Sequence, residues 1–92
     1  MSDPAIVQRA ARAKQAVEYE LQKQGFEVIR SDNRRICLVA LKQNEMRVIK
    51  ICLDKLTPTD TSILGSIPAP VNCSRELWVR KKGVYQFSVH KI

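Results

Sequence analysis

Apolar residues recur at every third or fourth position along the first part of the chain, at Ile6, Ala10, Ala13, Val17 and Leu21, while Arg9, Arg12, Glu20 and Lys23 fall largely off that stripe. A period near 3.6 predicts an amphipathic helix that packs one face on a core. Its start is written in Asp3-Pro4, an N-cap acceptor followed by a residue with no N–H to lose. Its end is written in Gly25, which reaches the left-handed conformation of a helix C′ position at no steric cost.

Beyond Gly25 the period changes. Residues 26–30 alternate apolar and polar and predict a strand, and 31–35 form a polar turn holding Asp32, Asn33 and two arginines. Residues 36–41 are almost wholly apolar, as in a strand covered on both faces. Gln43, Asn44 and Glu45 turn the chain into a further strand over 46–53, and the pair reads as a central hairpin. The stretch 57–74 holds Pro58, Pro68 and Pro70 among many Ser and Thr; it predicts a short helix from Pro58 ended by Gly65, then extended or looped chain. Strands over 76–80 and 84–90 follow, joined by a tight basic hairpin of Lys81, Lys82 and Gly83. The expected fold is one α+β domain over 1–92, an N-terminal helix packed on a mixed central sheet of about five strands.

Charge narrows the classes of partner. Lys and Arg number 16 against 9 Asp and Glu, a net +7 on 92 residues with a pI near 9.7. Such a field draws polyanions, of which nucleic acid is the commonest that a basic domain meets. A chain of this size buries only ~60 to 65% of the surface its unfolded state exposes, so a partner or a dimer would add stability. No apolar run approaches the ~20 residues of a spanning helix and no signal-peptide core is visible, so the expectation is a cytoplasmic protein with no membrane contact. Cys37, Cys52 and Cys73 are an odd count without a CxxC pair, which fits reduced, mostly buried thiols better than a disulfide framework or a zinc knuckle.

The order helix, three strands, short helix, two strands is joined to two local motifs. Leu21, Gly25, Phe26, Val28 and Arg30 spell LxxxGFxVxR, and Leu38, Val39, Ala40 and Leu41 spell LVAL, with Val48 and Ile49 opening the next strand. In these features the chain resembles the PD-(D/E)xK nuclease superfamily, most closely the archaeal Holliday-junction resolvases and their relatives, over about residues 7–55. Leu77-Trp78-Val79-Arg80 looks like a later core strand of the same fold. The resemblance implies a restriction-endonuclease-like core, and a homodimer like the resolvases. It also implies a metal site built from a helix acid, an Asp opening the second strand, and a Glu-x-Lys on the third. Placed on that pattern, those positions hold Lys14, Cys37, Lys50 and Cys52, and the register requires these four to converge. Glu18, Asp32 or Asp54 would each restore one acid through a slip in register, but no single slip restores them all.

Mg²⁺ takes oxygen ligands, and phosphodiester hydrolysis needs the cation to neutralise charge and activate water. Thiols and ammonium groups supply neither. The expectation is therefore a catalytically inactive nuclease-like domain, with no catalytic residue, metal or cofactor, that binds duplex or branched DNA through a basic face. Candidate contacts are Lys14, Arg30, Arg34, Arg35, Lys42, Arg47, Lys50, Arg80, Lys81 and Lys82, with Arg75 beside the last strands. Trp78 and Phe87 read as core, so backbone contacts read by shape are expected in place of base stacking. A soft-metal site of Cys37, Cys52 and His90 lacks a fourth ligand, and a Cys–His nucleophilic pair has only His90 to draw on. Two rivals stand beside this reading: an assembly module whose basic surface meets an acidic protein, and an active metal-dependent nuclease with relocated carboxylates.

Overall fold

A computed structural model of the chain describes residues 4–31 and 36–92, the side chains at positions 4 and 6 excepted. The elements run α1 (Pro4–Lys23), β1 (Glu27–Arg30), β2 (Leu38–Lys42), β3 (Glu45–Leu53), α2 (Pro58–Gly65), β4 (Cys73–Arg80) and β5 (Ser88–Lys91). The strands form one sheet in chain order, antiparallel except where α2 carries the chain over so that β3 and β4 pair in parallel. The fold is α+β with a five-stranded mixed sheet, as the periodicities predict. The proposed Asp3 cap and the turn residues Asp32, Asn33, Arg34 and Arg35 lie outside the described residues.

Each face of the sheet carries its own core. Val17 and Leu21 of α1 pack with Phe26, Leu38, Ala40, Ile49 and Trp78 on one face. On the other, Leu64 of α2 packs with Val48, Cys52, Leu77 and Val79. The alternation of β3 divides its residues between the two, Ile49 and Ile51 toward α1, Val48 and Cys52 toward α2.

The α1 stripe is only partly used. Ala13, Val17 and Leu21 are buried, but Ala10 is exposed, and the Ile6 side chain lies outside the described residues. Gly25 ends α1 at φ 94°, and the Phe26 N–H reaches back to the Leu21 carbonyl at 3.0 Å. The Lys42 ammonium donates to the Gln24 carbonyl at 2.8 Å, placing a cation at the negative end of the helix. The second helix repeats the device: Arg75 donates to the carbonyls of Gly65 and Ile67 at 2.8 and 3.0 Å. Its start is a capping box, in which Thr57 Oγ1 accepts from the Asp60 N–H while Asp60 accepts from the Thr57 N–H, and Pro58 takes the first turn.

β2 starts at Leu38 instead of residue 36, and two boundaries further along differ more. β4 begins at Cys73, three residues before the predicted start, because parallel pairing of Met46 with Cys73 supplies ladder bonds to a segment too polar to announce itself. β5 is only Ser88–Lys91, and residues 84–87 leave the sheet as a loop, so no tight hairpin forms. That loop is held from below, where Arg80 Nε donates to the Val84 carbonyl at 3.1 Å and Phe87 tilts against Trp78 at 5.6 Å between ring centroids.

Candidate nucleic-acid interface

The start of α1, the end of β3 and the β4–β5 loop meet at one place on the molecule. β3 ends at Leu53, and Asp54 turns the chain in the left-handed conformation at φ 73°, which Asp tolerates better than most residues. Its N–H donates to the Arg80 carbonyl at 2.8 Å, continuing the parallel ladder by one step. Its carboxylate accepts from both ends of the Arg9 guanidinium, at 2.7 and 3.3 Å, and from the Lys82 N–H at 3.0 Å. One side chain thus ties α1, β3 and the β4–β5 loop together.

Around this tie lies an open cleft of about 230 Å³ into which Arg9, Arg12, Arg80, Lys81 and Lys82 converge. Gly83 closes its far side at φ 79°, a backbone angle that lets the loop turn directly after the two lysines. The Arg9 hydrogen bond holds the Asp54 carboxyl below the usual carboxylate range, with the Lys82 N–H acting in the same sense, and Asp54 in turn raises Arg9. Five cations against a single carboxylate leave a concentrated positive field open to water.

The other expected contacts are distributed differently. Arg30 is ion-paired with Glu18 of α1. Lys42 caps α1 and sits over the Phe26 ring at 5.4 Å. Arg47 also lies over the Phe26 ring, 4.6 Å from its centroid. It also donates to Glu45 at 3.0 Å and stands 3.9 Å from Glu76, which is 1% exposed and accepts from the Trp78 indole N–H at 3.1 Å. These three cations have partners within the fold, and Arg34 and Arg35 lie outside the described residues. Arg80, Lys81 and Lys82 are the expected contacts that the fold brings together. Arg9 and Arg12 join them, and the sequence signal for both was their place off the apolar stripe of α1.

The four positions aligned with nuclease ligands do not converge on one site: Cys37 packs against the α1-side core, whereas Cys52 belongs to the α2-side core. Cys37 Sγ lies 3.5 Å from the Ile51 N–H, and Lys50 and Cys37 are near enough to Cys52 to act on its charge. Lys14 stands on α1, on the far face of the sheet from Cys52 and its α2 cover. Burial pushes the Cys52 thiol up to about 11, reinforced by the adjacent Asp60 carboxylate and opposed by Lys50. Burial also raises Cys73. Of the acids that a register slip would recruit, Glu18 is engaged with Arg30 and Asp54 with Arg9, and Asp32 lies outside the described residues. Among the described residues no three of His, Cys, Asp and Glu gather into a metal-binding group, and no helix is long and apolar enough to cross a membrane.

Comparison of the chain with protein-family models returned no match, and comparison with curated proteins returned none.

Proposed function

We propose that this chain is a catalytically inactive, nuclease-like DNA-binding domain that holds the phosphate backbone in the cleft of Arg9, Arg12, Arg80, Lys81 and Lys82. The observation that carries the reading is the convergence itself: residues from three elements, far apart in sequence, present like charges to one open cleft. Like charges gathered without enough counter-charge raise the energy of the folded state, and an anionic ligand relieves that cost. The element order on which the nuclease resemblance rests is the order of this fold, which supports a restriction-endonuclease-like core. Engagement of Glu18 and Asp54 by arginines supports binding without cleavage. Four to five phosphate contacts give a slope of about −4 in log Kd-derived affinity against log salt.

The test is binding of fluorescently labelled duplex and four-way-junction DNA across a salt series, with the Lys81→Ala/Lys82→Ala double variant alongside. Salt-steepened binding that weakens and flattens in the variant is expected. Binding with no salt dependence, or none at low ionic strength, would overturn the reading and favour an acidic protein partner. Incubation with plasmid and Mg²⁺ or Mn²⁺ is expected to leave the plasmid uncut; cleavage lost in Asp54→Ala or Glu18→Ala would instead establish an active nuclease with relocated carboxylates.

A further inference from the structure

A second cleft, of about 660 Å³, adjoins the basic one, and Tyr85 lines both. It runs between α1 and the β4–β5 side of the sheet, with Tyr19 on one wall, Phe87 and Val89 on the other and Trp78 at its floor. Tyr85 is 86% exposed and Tyr19 67%, an unusual outlay of aromatic surface to water for a chain with only five aromatic residues. Arg80 couples the two clefts, its guanidinium lying 5.4 Å from the Tyr85 centroid and 5.2 Å from that of Phe87. The rim carries Glu20 and Gln24, hydrogen-bonded to each other at 3.4 Å, so acceptor and amide groups face the opening.

We infer that this aromatic cleft receives an unpaired DNA base whose phosphate lies in the adjoining basic cleft. The inference rests on the DNA-binding reading and names the form of DNA that the site prefers. A nucleotide joins an anionic group to a flat π-face, and here a cationic cleft joins an aromatic one through a shared tyrosine. Stacking on aromatic side chains accepts any base, because every base has a π-face. Glu20 and Gln24 add hydrogen-bond partners for exocyclic amino groups. A second copy of the chain is a poor occupant, since it brings the same +7 toward the same basic edge.

Trp78 is the only tryptophan of the chain and forms the cleft floor, so it reports occupancy directly. The experiment titrates the full chain at one salt concentration with three DNA probes, a single strand, a blunt duplex and the same duplex carrying one unpaired base, reading affinity by anisotropy and Trp78 emission. The expected result is at least fivefold tighter binding of both probes with unpaired bases than of blunt duplex, with Trp78 emission changed only by those two. Tyr85→Ala and, separately, Tyr19→Ala bring the affinity ratio toward one, whereas Lys82→Ala lowers all affinities and preserves the ratio. Equal affinities, or a ratio unmoved by both tyrosine variants, overturn this inference while leaving the DNA-binding reading standing. Failure of every probe to bind overturns both.

Discussion

Asp54 holds the guanidinium of Arg9 at both terminal nitrogens across 45 residues of sequence, beside a cleft to which Arg9 and four other cations contribute. On the proposed function, the carboxylate competes with a phosphate for Arg9 and anchors the cleft's edge at the same time. Asp54→Asn keeps the side-chain shape and a carbonyl acceptor but removes the charge. Affinity for DNA should rise several-fold, and the salt slope should steepen by about 0.9 as Arg9 becomes one more cation to neutralise. A weaker complex in this variant, measured by anisotropy, would show that Asp54 serves DNA binding only as scaffold.

The same pair sets a pH dependence. Asp54 is held below its ordinary value in the fold, so the stability it contributes is present above the unfolded carboxylate range near 3.9 and is lost as pH falls through its lower folded value. The carboxyl resonance of Asp54 should titrate with a midpoint below ordinary aspartate, and Arg9→Ala should return it toward that value. An unmoved midpoint in Arg9→Ala would place the depression elsewhere.

Glu76 is the buried charge of the core. Its carboxylate accepts from the Trp78 indole and faces Arg47. Glu76→Ala leaves both partners without it inside the fold, and stability should fall by about 3 to 5 kcal/mol in urea denaturation. Glu76→Gln keeps an acceptor for Trp78 and should lose less. Equal losses would mean that the charge facing Arg47 dominates.

Cations with structural partners and cations in the cleft are separable by one pair of variants. Lys42→Ala removes the cap of α1 and should lower stability by about 0.3 to 1 kcal/mol with little effect on the salt slope. Lys82→Ala should move the melting midpoint little, since its hydrogen bond to Asp54 comes from the backbone N–H, and reduce the slope by about 0.9. A slope reduced equally by both would extend the DNA face to the β2–β3 edge.

Cys52 should resist alkylation at pH 8, where a thiol raised to about 11 is almost wholly protonated. Its folded value lies above the unfolded one, so the associated stability is present below the ordinary thiol range and is lost as pH rises through about 11. Iodoacetamide labelling followed by mass spectrometry checks this; rapid Cys52 modification of the native chain at pH 8 would show an opening of the α2 face.

The sequence by itself determined the elements and much of the core. Val17 and Leu21 at helical spacing, the strand-forming 46–53 run and the Pro58 start of α2 are local patterns, and a 3.6 or 2.0 period buries one face whatever the neighbours are. Trp78 reads as a packed residue for the same reason, and it is; Phe87 is half-buried against it from a loop instead of a strand face. The limits of β4 and β5 were less legible, because a polar segment such as 73–75 becomes a strand only when a partner offers a ladder.

Only the tertiary structure decided which charges act together. In the sequence Arg47 and Lys82 are equivalent basic residues; in the fold one stacks on Phe26 and faces a buried glutamate, and the other stands over an open cleft. The difference arises from the parallel pairing of β3 with β4 and from the packing of α1 across the sheet, which bring Arg9, Asp54 and Lys82 to one point. No periodicity encodes that meeting, since it joins residues 28 and 45 positions apart through space.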